Sequence, residues 1–222
     1  MTSLACCICG GSKFEPGYGG RLAPNGSCPT CENCKSAERH RIVRSMYRAL
    51  APLTAPLRCL QFAPDNSIEP QQFASFDTSV YEGKNSMDMT RTGLEAGSYD
   101  LIASNHVLEH VADHHAAIRE MVRVVGPRGL VHLCVPSPSF VPSTLDWGFA
   151  DKTKSFHYRA YGADAGLVFL QALPELHMIS AVGRDPVTDT FELVFWLSRD
   201  SARLLEWTAR LQQGRFAVVR IR

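Results

Sequence analysis

Ile42, Val43, Met46, Tyr47 and Leu50 recur at helical spacing and predict an amphipathic helix that Ser36 can cap. Arg58 to Asp65 then reads as a first strand and its turn, and Ser79-Val80-Tyr81-Glu82 as a second strand. Tyr99 to Ala103 (YDLIA) is a short apolar run of the kind a buried parallel strand shows. Ala117, Ile118, Met121, Val122 and Val125 share one face of a further helix, with Asp113 as its cap and Gly126-Pro127 as its end. Leu130 to Val135 is another apolar strand. A strand, helix and strand in this order close as a right-handed crossover in a parallel sheet. Ligands of such sheets bind beyond the carboxyl ends of the strands, which is where Asn105 to His110 (NHVLEH) falls. Asp100 sits at the opposite, amino end of its strand and is expected to be structural.

Pro136 to Tyr161 breaks the pattern. The stretch is too long and irregular for an ordinary connection, and such loops are lids or binding loops. Its aromatics, Phe140, Trp147, Phe149, Phe156, Tyr158 and Tyr161, interleave with His157 and Arg159 and suit a small-molecule pocket. A helix (Ala163 to Leu173), two strands (His177 to Val182 and Phe191 to Leu197) and a helix over Ser201 to Gln213 follow. Phe216 to Ile221 is expected to form an extra strand or a contact between two copies of the chain. The fold class is α/β, Rossmann-like. The chain divides into a cysteine-rich head (1–35), a linking helix (36–56), the Rossmann-like domain (57–198, with a lid over 136–161) and a C-terminal helix and extension (199–222).

The 222 residues are 45% hydrophobic and 20% charged with a net charge of +1, which argues against nucleic acid and anionic membranes as partners. No apolar run approaches the ~20 residues a membrane span needs, and no basic-then-apolar segment opens the chain. A cytoplasmic protein is expected. Of the 8 cysteines, Cys6, Cys7, Cys9, Cys28, Cys31 and Cys34 lie in the head. Without an export signal, that clustering favours a metal over disulfides. Cys6-x-x-Cys9 is one knuckle, and Cys28-Pro29-Thr30-Cys31-Glu32-Asn33-Cys34 offers a second in two registers. Two such pairs about twenty residues apart are the layout of a tetrahedral structural zinc site. The Gly- and Pro-rich loop between them could not build a core of its own.

The ordered run Tyr99-Asp100-Leu101-Ile102, Asn105 to Val111, Arg123-Val124-Val125 and Gly126-Pro127-Arg128-Gly129 resembles the second half of class I S-adenosylmethionine-dependent methyltransferases. Glu38-Arg39-His40-Arg41 after the cysteines, and Phe156-His157-Tyr158-Arg159-Ala160-Tyr161-Gly162 in the lid, resemble segments of a group within that family whose head binds zinc. The resemblance implies a seven-stranded sheet and bound S-adenosylmethionine. Alignment on Glu38 to Arg41 implies Cys6, Cys9, Cys31 and Cys34 as ligands of a structural Zn2+, and a set using Cys28 stays open. Leu60 to Asp65 resembles the group's glycine-free first turn, which implies Phe62 and Ala63 as cofactor contacts. Glu82 is the acid nearest the ribose, since Asn85 stands where the group has Asp; Asp88 is implied at the adenine, and Asn105 and His106 at the end of the fourth strand.

On the substrate side, Arg39, Trp147, Tyr158, Arg159 and Tyr161 are the candidate contacts for a small-molecule acceptor. An acceptor that loses a proton needs a base, and an imidazole titrates in the useful range. His106 is the first candidate and His157 the second, with Glu109 and His110 orienting the site. A methyltransferase fold without catalysis, acting as a binding or regulatory module, is the competing expectation, motivated by Asn85 and the missing glycines.

Overall fold

The computed structural model describes residues 4–136 and 141–222. Its centre is a seven-stranded sheet of order β11-β9-β10-β6-β5-β3-β4. The strands are β3 (Arg58–Phe62), β4 (Ser75–Ser79), β5 (Leu101–Asn105), β6 (Leu130–Cys134), β9 (His177–Arg184), β10 (Phe191–Ser198) and β11 (Ala217–Arg220). The β4, β3, β5 and β6 neighbours run parallel, whereas β10, β9 and β11 join antiparallel.

Every residue of β5 and β6 is buried, because helices cover both faces. The period of two along the strands sorts side chains between two cores. Cys59, Leu101, Ala103 and Trp196 face one way, against α1 (Glu38–Thr54) and α4 (Ser201–Gln213). Leu60, Ile102, Val131 and Phe195 face the other, against α2 (His114–Val125) and α3 (Ala165–Leu170). Helix α1, expected as a linking helix with an apolar face, covers one face of the sheet together with α4, burying Ile42, Val43, Met46, Tyr47 and Leu50. Burial of each such side chain contributes about 1.5–3 kcal/mol.

Several elements differ from the sequence reading. The second strand lies four residues earlier than expected. It registers with its neighbour from Arg58 opposite Ser75 to Phe62 opposite Ser79, so the two strands end together. Val80 and Tyr81 project outward beyond it, and Glu82 turns the chain at φ 57°. Among residues 80–100 there are turns and one isolated bridge, Asp88 to Arg91, but no strand; the seventh strand is β11, from the C-terminal extension. The lid contains a hairpin of β7 (Leu145–Asp151) and β8 (His157–Ala160) rather than irregular chain; Phe140 lies outside the described residues. The cap of α1 is Ala37, whose N–H donates to His40 Nδ1 at 3.0 Å. Ser36 is instead buried, its hydroxyl facing the Cys6 and Cys34 sulfurs.

The head is a ribbon of β1 (Phe14–Glu15) against β2 (Thr30–Cys31). Arg41 ties it down. Its fully buried guanidinium donates to both Asp185 oxygens at 2.7 and 2.8 Å and to the carbonyls of Ser36 and Pro29. Among the described residues no helix is long and apolar enough to cross a membrane.

Candidate active site

The carboxyl ends of β3, β4 and β5 form one edge, and a cleft of about 630 Å3 opens there. That size suits a small-molecule ligand. Each of these three strands is followed within three residues by a non-glycine residue in the left-handed region: Ala63 (φ 48°), Glu82 (φ 57°) and His106 (φ 52°). Such residues cost of order 1 kcal/mol each and persist where surrounding contacts hold them. Ala63 is held by its N–H, which donates to the Ser79 carbonyl at 2.9 Å. This chain therefore makes the first turn tight without glycine.

Phe62, Ala63, Ser79, Met87, Asp88 and Met89 line one side of the cleft, and Val107, His110 and Val111 the other. Largely apolar walls with the carboxylates of Asp88 and Asp113 fit the adenosyl half of S-adenosylmethionine. Asp88 is shaped by its own loop: Oδ1 accepts from the Thr90 N–H at 2.8 Å and hydroxyl at 2.7 Å, which leaves Oδ2 free of those bonds. Of the six residues expected at the cofactor, Phe62, Ala63 and Asp88 line the cleft; Glu82, Asn105 and His106 do not. Asn105 points into the protein instead, donating to Ser67 Oγ and accepting from His132 Nε2. Asn85 binds the Thr78 carbonyl at the end of β4.

A cluster of titratable groups adjoins the cleft. Ligand atoms of Glu109, His110 and His157 lie within 4.8 Å of one another, and so do those of His106, Cys134 and Glu192. His106 Nδ1 stands 3.9 Å from Glu109 Oε1 and links the two groups. Burial pushes the Glu109 carboxyl up to about 8 and Glu192 up to about 7. Burial and the Arg39 charge hold His106 down to about 3, so its ring is neutral at neutral pH. Glu109 Oε2, His106 Nε2 and Arg39 Nε are buried without a hydrogen-bond partner. Unpaired buried polar atoms are costly, and native proteins keep few of them. Glu109 and Glu192 were not among the sequence candidates for catalysis or binding. Glu109 stood in the motif as an orienting group, whereas Glu192 had no local signal because it reaches the cluster from β10.

The lid residues divide. Arg159 is 1% exposed and works as a clamp. Its guanidinium donates to the carbonyls of Leu108, Val111 and Ala112 and to Asp146 Oδ2. Tyr161 is buried, its hydroxyl 2.8 Å from His114 Nδ1. Both have their polar atoms committed within the protein. Trp147 donates from Nε1 to the His157 carbonyl and carries Lys154 over its ring. Tyr158 is half-buried beside Arg159, and Arg39 is half-buried on α1.

In the head, Cys6, Cys9, Cys31 and Cys34 converge, their sulfurs within 4.8 Å of one another; Cys28 is not in the group. The Cys6–Cys34 and Cys9–Cys31 sulfur pairs are 3.7 and 3.6 Å apart. Thiolates 2.3 Å from a tetrahedral zinc would be about 3.8 Å apart, so the four fit that ion. A Cβ at Gly11 would sit 3.3 Å from the Cys31 sulfur and 3.4 Å from that of Cys9, so this position packs directly on the thiolates.

Residues 67–133 match the family model described as a methyltransferase domain. That stretch is the part of the chain the family model covers. It runs from the loop after β3 through α2 to β6 and includes most of the cleft wall. Among solved structures, a Thermotoga maritima S-adenosylmethionine-dependent methyltransferase is 11% identical over 72% of this chain and 91% of its own, with a TM-score of 0.48. A Burkholderia thailandensis 1,6-didemethyltoxoflavin-N1-methyltransferase is 13% identical over 83% of this chain and 98% of its own, with a TM-score of 0.46. No curated protein matches the chain.

Proposed function

We propose that this protein transfers the methyl group of S-adenosylmethionine to a small-molecule acceptor, with a structural zinc in its cysteine head. The observation that carries the reading is the cleft at the carboxyl ends of β3, β4 and β5, with the carboxylates of Asp88 and Asp113 among largely apolar walls, and with the unpartnered Glu109 carboxyl and His157 grouped beside His110, which lines it. When bound, S-adenosylmethionine supplies a methyl group already activated on a sulfonium.

The protein's share is positioning, exclusion of water and management of one proton. Phe62, Met87 and Met89 pack the nucleoside, Asp88 accepts a hydrogen bond from its base, and Glu82 follows β4 one turn away. The lid covers the acceptor side, with Trp147, Tyr158 and Arg39 as the contacts that still have surface to offer. Arg159 and Tyr161 hold the lid to the domain. The acceptor proton passes to the cleft wall. Glu109, with its raised carboxyl pKa, binds a proton near neutral pH, and His157 stands beside it. His106 Nδ1 stands 3.9 Å from Glu109 Oε1, which makes it a positioning neighbour.

Calorimetric titration with S-adenosylmethionine and S-adenosylhomocysteine tests the reading. Micromolar binding of both is expected. Absence of binding to either would return the chain to the binding-module alternative. Zinc is tested by metal analysis of the purified protein, with one equivalent expected.

A further inference from the structure

Glu109 and His110 are consecutive residues on the short 3-10 turn after β5, and His157 opens β8 in the lid hairpin, 47 positions further along the chain from His110. Nothing in the local pattern of either segment requires them to meet, yet one ligand atom from each lies within 4.8 Å of the others. The His110 and His157 rings pack edge to face at 4.6 Å. Glu109 is 1% exposed, and its Oε2 has no partner. One buried carboxylate oxygen thus stands unpaired beside two imidazoles.

The frame around the three is rigid. Arg159, two residues beyond His157, donates to the carbonyls of Leu108, Val111 and Ala112, which bracket Glu109 and His110. Trp147 Nε1 holds the His157 carbonyl at 2.9 Å. Of the three, His110 lines the cleft, so the group borders the proposed cofactor site.

We propose that Glu109, His110 and His157 form a second metal site, which takes a divalent first-row transition cation and presents it to an oxygen of the acceptor. Two imidazoles and one carboxylate suit zinc, iron, cobalt or manganese, and three protein ligands leave positions open for a substrate. This is the opposite of the head, where four thiolates close the coordination sphere. The inference rests on the methyl-transfer reading and refines it at one point. The acceptor is a hydroxyl compound whose oxygen would meet the cation and lose its proton to solvent before the methyl group is transferred, so that Glu109 and His157 act as ligands in place of taking the proton themselves.

The test uses the full chain with its head zinc in place. Cobalt(II) is titrated into the wild type, His157→Ala and His110→Ala, with binding followed by absorption and S-adenosylmethionine affinity measured in parallel. The wild type is expected to take one further equivalent, with weak visible bands and no thiolate charge-transfer absorption. Each variant is expected to lose about tenfold or more of that affinity, about 1.4 kcal/mol, while retaining the head zinc. No further equivalent, an equivalent bound equally by both variants, or one with thiolate charge transfer would overturn the site. Cobalt binding without cofactor binding would sink the methyl-transfer reading alone. Cofactor binding without the cobalt site would sink this inference alone.

Discussion

The head and the cleft wall both gather metal-binding side chains, but they do so in different ways. In the head, Cys6 and Cys9 share one knuckle, Cys31 and Cys34 another, and a two-strand ribbon brings the knuckles together. At the cleft wall, Glu109 and His110 come from the turn after β5, and His157 from the lid hairpin that follows the next strand. The first group is held by local spacing. The second exists because Arg159 pins the hairpin onto the turn. Local groups can depend on an ion for their order, whereas assembled ones inherit their order from the fold.

The sharpest way to break this comparison is to remove the ion from the head. Cys31→Ser is expected to release the zinc and leave residues 4–36 open to limited proteolysis, while the sheet keeps its circular dichroism. Structural zinc in small knuckles is worth about 10 kcal/mol or more of apparent binding free energy. A head that stays protease-resistant without metal would show that the ribbon suffices.

Next in size is the tie between head and sheet. Arg41→Ala leaves Asp185 buried and uncompensated and is expected to cost about 3–5 kcal/mol in urea unfolding. A loss near zero would mean that Thr188, which donates to Asp185 from its N–H and hydroxyl, satisfies that carboxylate alone.

The interior side of the cleft wall offers a pH test. The Glu192 carboxyl is raised from 4.5 to about 7 by burial, so the folded protein keeps a proton that the unfolded chain releases. Its contribution to stability is full below 4.5 and is lost as the pH rises through 7. At about 1.4 kcal/mol per unit the loss is of the order of 3 kcal/mol. Glu192→Gln should flatten the stability profile across that window, and an unchanged slope would mean that the carboxylate is ionised in the folded state.

Smaller still, Asp88→Asn should weaken S-adenosylmethionine binding by about tenfold, about 1.4 kcal/mol, with the melting temperature unchanged. The smallest effect belongs to the far edge of the sheet. Arg58 and Asp100 form a half-exposed pair at the amino ends of β3 and β5. Arg58→Ala should cost under about 1 kcal/mol and leave cofactor affinity untouched.

Much of the fold was legible because its signals are local. The apolar period of α2, its Asp113 cap, whose side chain accepts from the Ala116 N–H, and the apolar runs of β5 and β6 all appear in the chain as read. The second strand was misplaced because Ser79 to Glu82 and Ser75 to Ser79 look alike as short mixed segments, and pairing with β3 decides between them. Arg159 and Tyr161 were read as substrate contacts because a lid rich in polar and aromatic residues suits a pocket. Their actual partners, three backbone carbonyls, the Asp146 carboxylate and a histidine ring, carry no sequence signature.

By itself, the sequence determined the α/β class, the order of the central strands and helices, the two cysteine knuckles with Cys28 left open, and the segment that forms the cleft. Each depends on periodicity or spacing within about twenty residues. Only the tertiary structure decided that β11 completes the sheet, that α1 covers one face of the sheet together with α4, and that Glu109, His110 and His157 share one point with Glu192 and His106 beside them. Those outcomes depend on strand register and on how a clamp closes distant segments, and such long-range packing leaves no pattern along the chain.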